Sequence, residues 1–486
     1  MCGGDGRCHT SVGHCPRTRT PKARFHILTC TVPFLTGGPA RVFCIDSPAM
    51  RPRNFWPLAD LVFLAQVETG RSLPLYYNND AVGSIWKRDR PQFDTGQPID
   101  GAGRGGPILG GTNHQLDLQN PSNLGQQPTD SGVVPNLKWS FSQSKTRISA
   151  GGWTRKQTIT DLPASHDMSA AQQHLAQGAI REPHWHSTAE WGFVYNGSVL
   201  VSAVDQDGRY QAETLGFGDI WYFPRGVAHT VQGMGEQNEF LLVFDGPDTD
   251  AAGSTFNVDD WVAHTPRDVL AKNFGVDAVV FDDVPRPSPG IVNGTAGGSD
   301  ADRGVTAGPS EQPAGGADSF VFRTLQQPPM QAPGGGGSLY KVDSTNFPRS
   351  TSIAAALVTL APGAMREMHW HPDAEEWLYF HQGTGRATVF TGDANARTFD
   401  LAAGDTAAFP AGSGHYVENT SADSGLTYLE VFRAGRIADI SLAQWLALTP
   451  PEMAAQALNV DVNVIKRLRK GKQVLLPAGG LPPVGG

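Results

Sequence analysis

At 486 residues the chain is about three times the length of an ordinary domain, so more than one domain or an internal duplication is expected. Its 57 glycines and 36 prolines favour many turns and short strands over a long coiled coil, and a formal net charge of −9 removes the broad positive surface that nucleic acid binding needs. No run of roughly eighteen uncharged apolar residues occurs, so no transmembrane helix is expected.

Residues 1–98 read as a leader, unstructured or removed by processing. All the cysteines, Cys2, Cys8, Cys15, Cys30 and Cys44, fall in it at irregular intervals that fit neither a disulfide framework nor a zinc ligand set. The stretch MRPRNFWPLADLVFLAQVETG from Met50 carries two early arginines ahead of an apolar segment, but Pro57 and Asp60 interrupt it. It is a poor secretion signal unless the product begins near Met50. Together with Asn-x-Ser/Thr sequons at Asn196, Asn293 and Asn419, it points to a secreted protein.

Beyond the leader one pattern recurs at an offset of 184 to 186 residues. LAQGAIREPHWHSTAEWGF from Leu175 matches LAPGAMREMHWHPDAEEWLYF from Leu360, and GDIWYFPRGVAHTV from Gly218 matches GDTAAFPAGSGHYV from Gly404. DWVAHTPRDVLAKNFGVD from Asp260 parallels QWLALTPPEMAAQALNVD from Gln444. The chain therefore divides into a first repeat domain over 99–284, a Gly/Pro/Ser/Asp-rich linker over 285–318, a second repeat domain over 319–472 and a tail over 473–486. Short β-branched and aromatic stretches such as FLLVF and ATVFTG, set between turn residues, predict an all-β barrel or sandwich in each copy. Thr265-Pro266 and Thr449-Pro450 predict helix starts, with Thr as N-cap, Pro in the first helical position and Glu452 closing a capping box. The apolar faces of these short helices are candidates for contacts in a homo-oligomer. The basic run Lys466, Arg467, Arg469, Lys470 and Lys472 reads as a solvated face.

Six histidines stand at matching places: His184, His186 and His229 in the first copy, His369, His371 and His415 in the second. Histidines two apart on a strand share a face, and Glu190 and Glu376 follow closely. The third histidine returns some forty residues later, as on a strand laid beside the first. Three imidazoles and one carboxylate suit a first-row divalent metal with positions left open for a ligand. Arg181 and Arg366 lie three residues before each first histidine, and strict strand alternation would turn them to the opposite face.

This doubled pattern, with RE-x-HWH in both copies, resembles the bicupin oxalate decarboxylase family over about residues 100 to 465, as do VVPNLKWSFSQSKTR, GGWTRKQTITDLP, DSTNFP, ARTF and HYVEN. The resemblance implies two tandem cupin barrels, an all-β fold with short helical appendages, and one manganese ion per cupin, two per chain. The implied substrate is the oxalate monoanion, and Arg181 and Arg366 would lie in the pockets to bind it, which requires a bulge between Arg and His; a guanidinium fork suits a carboxylate. The family's proton donor is a glutamate in a lid segment resembling F-S-E-N/D-S-T-F. Here FDGPDTDAAGSTF, from Phe244 to Phe256, is one residue longer, has no glutamate, and puts Ala252 at the acid's place, with Asp248 and Asp250 as shorter substitutes. Glu430, in LTYLEVF, matches a glutamate the family places beside the second metal and is the expected catalytic acid. The leading expectation is oxalate decarboxylation to formate and CO2. Oxalate oxidation by O2 to CO2 and hydrogen peroxide is the first alternative, and a non-catalytic or differently specific metal-binding bicupin the second.

Overall fold

A computed structural model describes residues 27–31, 41–45, 129–296, 314–330 and 332–481, together with 119 and 127. Most of the leader, including the segment from Met50, lies outside the described residues; within it Ile27–Thr31 and Arg41–Ile45 pair as an antiparallel hairpin, in a unit of its own.

The two repeats are two β-barrels, each made of two facing antiparallel sheets. In the first, Ile180–His186 lies between Ala228–Gly233 and Thr255–Asn257, while Glu190–Asn196 lies between Asp219–Phe223 and Gln237–Phe244 in the opposite sheet. The second repeats this, with Met365–Trp370 beside Gly414–Asn419 and Glu376–Gln382 between Asp405–Phe409 and Leu426–Phe432. Each barrel has its own apolar filling, Val194, Val199, Phe223 and Phe240 in one and Leu378, Val389, Phe399 and Tyr428 in the other. A third cluster joins them, with Trp191, Phe193 and Tyr195 packed on Trp377, Tyr379, Leu429 and Val431. EWGFVYN and EWLYFHQ are thus buried on both faces, one toward their own barrel and one toward the other, which is why they read as near-continuous apolar runs.

The expected boundaries shift in four places. Lys138–Ser140, from the first domain, adds an edge strand to the second barrel, pairing with Asp405–Phe409. Val321–Arg323, placed by sequence in the second domain, adds to the first barrel on Asp219–Phe223. Ile291–Val292 in the supposed linker and Leu475–Leu476 in the supposed tail pair with Ile180–His186 and Met365–Trp370. Strands of two or three residues carry no periodicity, so composition could not reveal them.

The helix starts also differ. Thr265 does not cap the helix that follows: its hydroxyl donates to the Trp261 carbonyl at 2.7 Å, closing Val258–Ala263, and Pro266 is the N-cap of Arg267–Phe274. Thr449 does the same to the Trp445 carbonyl at 2.9 Å, while Pro450 is the N-cap and Pro451 the first residue of Pro451–Leu458. A threonine hydroxyl reaches back to the carbonyl four residues earlier as readily as forward, and here the preceding helix claims it. Glu452 forms no capping box; it pairs with Lys466 at 3.4 Å. Asn419 is fully buried, its amide donating to the carbonyls of Leu360, Ala361 and Ser424, so that sequon offers no glycan site, whereas Asn196 and Asn293 are exposed.

The strand exchanged onto the second barrel is anchored by a buried ion pair, Lys138 Nζ to Asp405 Oδ2 at 2.8 Å, and the same ammonium donates to the Asp400 carbonyl at 2.6 Å. Lys138→Met strands a carboxylate that is itself buried, and such a loss costs about 3–5 kcal/mol. We expect a clear fall in the thermal midpoint for Lys138→Met and partial recovery in Lys138→Met with Asp405→Leu; equal midpoints for wild type and the single variant would contradict it.

Candidate metal centres

Each barrel brings four ligand side chains to one point. His184 and His186 come from Ile180–His186, Glu190 opens Glu190–Asn196, and His229 lies on Ala228–Gly233 directly across the ladder from His184. His415 faces His369 in the same way in the second barrel, with His371 and Glu376 completing the set. In each set the ligand atoms lie within 4.8 Å of one another, and all eight residues are buried.

The hydrogen bonds assign the imidazole tautomers. Nδ1 donates to the Glu182 carbonyl from His184 (2.6 Å) and to the Val227 carbonyl from His229 (2.8 Å), while Nδ1 of His186 shares a hydrogen bond with the Thr255 hydroxyl (3.0 Å). In the second barrel the acceptors are the carbonyls of Glu367, Ala438 and Ser413, at 2.6, 2.8 and 2.9 Å. In the five histidines whose Nδ1 meets a carbonyl, a neutral ring therefore presents its Nε2 lone pair inward. The Nε2 atoms face carboxylate oxygens: His186 and His229 stand 3.0 and 3.4 Å from Glu190 Oε2, and His415 and His371 stand 2.6 and 3.5 Å from Glu376 Oε2. The inward Nε2 atoms of these four histidines and of His369, and Oε2 of both glutamates, have no hydrogen-bond donor. Acceptor facing acceptor in a buried place is stable only around a cation, so both sets fit a bound divalent metal. Burial, reinforced by the neighbouring arginine, holds His184 and His369 well below the usual imidazole range, in the neutral ligating form.

The arginines reach the centres by the bulge the resemblance required. His229 pairs with His184 but Val231 pairs with Arg181, so Ile180–His186 carries one extra residue between the pairs; Arg366 and His369 opposite Val417 and His415 repeat it. From there the two centres part. Arg181, His184 and His186 line a cavity of about 680 Å³ roofed by residues 249–255, the segment that lacks a glutamate, and Ala252 lines it too. Arg181 is held by the Gly290 carbonyl at 3.2 Å, by Asn257 Oδ1 at 3.4 Å and by one carboxylate, Glu182 Oε1, at 3.4 Å. Arg366 is 2 % exposed and already paired, with Glu430 at 3.3 Å and with Asp439, which Lys472 also contacts. Glu430 accepts further from Tyr428 at 3.4 Å, and burial pushes its carboxyl up.

Sequence reasoning missed Trp221. Its indole donates to Glu190 Oε1 at 2.9 Å, leaving Oε2 for the metal. It can do so because its strand partner is Gly192, where a Cβ would meet the ring at 2.0 Å. In the second copy the corresponding pair is Leu378 and Ala407, and Glu376 Oε1 has no donor. The signal lay in the repeats, Gly and Trp against Leu and Ala, a reciprocal exchange of volume across one ladder pair.

The sequence matches the cupin family over residues 140–280 and 323–466. It is 54% identical over 382 residues to a probable oxalate decarboxylase of Arthroderma benhamiae, covering 78% of this chain and 93% of that one. It is 42% identical over 383 residues to the oxalate decarboxylase OxdC of Bacillus subtilis, covering 79% and 97%. A solved structure of the Bacillus subtilis enzyme, from work on its Mn(II) centres, superposes with a TM-score of 0.73 at 41% identity, covering 80% of this chain and all of that one.

Two sets of ligands predict about two metal ions per chain after manganese loading. His184→Ala with His186→Ala should remove about one and leave the other, read by elemental analysis of the purified protein; a loaded wild type near zero would refute the ligand assignment.

Proposed function

The chain belongs to the cupin family, in its two-barrel oxalate decarboxylase branch, and on that premise we propose how its residues divide the conversion of oxalate to formate and CO2. It is a carboxy-lyase with one manganese per cupin, and the metal, when bound, supplies the reversible one-electron chemistry that makes the carbon–carbon bond labile.

Oxalate is taken at the N-terminal centre. The observation that carries this reading is the cavity that joins Arg181 to His184 and His186: a guanidinium and a metal position on one wall suit the two ends of a small dianion or its monoanion. The segment 249–255 covers one side of this cavity. The C-terminal centre plays a different part, because its Arg366 is committed to Glu430 and Asp439, and a substrate carboxylate would have to displace one of them. A second reading assigns proton donation to Glu430 there, as its place in LTYLEVF suggests; the upward push on its carboxyl favours the protonated form an acid needs.

One assay separates them. With metal-loaded protein at acidic pH, formate and peroxide are measured together. Arg181→Ala should lower kcat/KM for oxalate by at least about tenfold, the scale of a lost charge-assisted hydrogen bond, while Glu430→Gln keeps formate production. Loss of formate in Glu430→Gln at full metal occupancy would place the acid in the second cupin, and peroxide as the main wild-type product would make the enzyme an oxidase.

The helical appendages leave Trp261 and Phe274 in one copy and Trp445, Leu448 and Met453 in the other more than half exposed. We propose that further copies of this chain cover them. Light scattering should report an oligomer that Trp445→Glu with Leu448→Glu dissociates; a wild-type monomer at micromolar concentration would refute this.

A further inference from the structure

Making formate requires one proton to arrive on carbon, and the N-terminal cavity must hold the group that handles it. Besides the ligating histidines, its ionisable lining consists of Arg147, Arg181, Lys145, Lys156, Asp161 and Asp250. Arginine does not surrender its proton. Asp161 is spent on its own turn, accepting from the Thr158 backbone N–H at 2.9 Å and the Thr158 hydroxyl at 3.4 Å. Asp250, in the roofing segment, is different: it meets Lys156 Nζ at 2.6 Å, and the same ammonium also contacts the Thr249 carbonyl at 3.4 Å. Lys156 comes from Gly152–Gln157, a strand apart from the segment of Asp250, and both residues line the cavity. The two side chains are 33% and 66% exposed, a setting in which an ion pair adds little to folding, so stability gives no account of the pairing. The segment that bears Asp250 is itself seated, through Ser254 Oγ to the Thr249 carbonyl at 2.6 Å and the Ser187 N–H to the Ser254 carbonyl at 3.0 Å.

We propose that Asp250, positioned by Lys156, carries the proton of the N-terminal centre, in place of the glutamate this segment lacks. The inference rests on oxalate being held there. The Asp250 carboxylate takes the proton of hydrogen oxalate; the carbon–carbon bond breaks and CO2 leaves; the same proton then forms the C–H bond of formate. Hydrogen oxalate gives formate and CO2 with atoms and charge conserved, and the one-electron oxidation and reduction at the metal cancel within the cycle. Asp250 is the catalytic residue in this assignment, because it lines the same cavity as Arg181, His184 and His186. Lys156 is a positioning residue, whose ammonium fixes the carboxylate's direction.

The test uses the full chain at measured, equal manganese occupancy, with formate and peroxide followed across pH. Asp250→Asn should lower kcat for formate by about a hundredfold or more, the scale of general acid–base catalysis, with KM changed less than about threefold and the peroxide-to-formate ratio raised. Asp250→Glu should retain formate as the main product. Lys156→Met should lower kcat by about tenfold, with KM changed less than about threefold and the peroxide-to-formate ratio raised; Lys156→Arg should restore both. Formate kcat within twofold of wild type in Asp250→Asn, with Arg181→Ala still crippled, would overturn the proton assignment and leave the oxalate site standing. Full oxalate consumption in both Arg181→Ala and Asp250→Asn would overturn the site itself.

Discussion

Lone pairs turned toward one another are the constraint around which both barrels are organised. In each centre three imidazoles turn Nδ1 outward to a carbonyl or hydroxyl, and two of them bring Nε2 against a carboxylate oxygen that has no hydrogen-bond donor. Without a cation this would be a cluster of buried, unsatisfied acceptors, each costly to desolvate. The surrounding sheets are arranged to hold that cluster: His229 sits across the ladder from His184, and His415 across from His369, so closure of the barrel and assembly of the site are the same event.

The bulge that follows from this arrangement decides which residues join the metal. One extra residue between Arg181 and His184, and between Arg366 and His369, reverses the strand's alternation and turns the guanidinium inward. Duplication preserved that device in both copies while the neighbouring residues diverged. Gly192 and Trp221 in the first barrel give one ligand carboxylate an indole donor; Leu378 and Ala407 fill the same volume in the second and leave Glu376 Oε1 without one. A donor on the distal oxygen withdraws charge from the ligating one, so the two centres offer their metals different fields. The first also opens on a cavity, whereas the second has its arginine locked between two carboxylates.

The barrels are tied together more firmly than a linker would do. Each lends a short edge strand to the other, Lys138–Ser140 in one direction and Val321–Arg323 in the other, and the sheets that carry Glu190 and Glu376 pack through Trp191, Tyr195, Trp377 and Tyr379. Gln172 donates to the Tyr379 hydroxyl at 2.8 Å across that junction. Covering the outer face of both ligand-bearing strands removes the slack with which Glu190 and Glu376 could drift from their histidines.

The sequence by itself determined the duplication, the all-β barrels and all eight metal ligands, because ligand chemistry demands particular residue types and the repeat displays each set twice. It also implied the arginines, but their inward direction depended on a bulge that periodicity argues against. Tertiary structure decided the rest. Two- and three-residue strands are too short to show a period, so the exchange of edges between barrels was hidden. The hydroxyls of Thr265 and Thr449 could serve the helix before or after them, and only the packed turn settled which. Trp221 touching Glu190, Asp250 meeting Lys156, and Arg366 gripped by Glu430 and Asp439 join residues 31, 94, 64 and 73 positions apart, pairings that depend on how the strands are laid side by side and that no local pattern encodes.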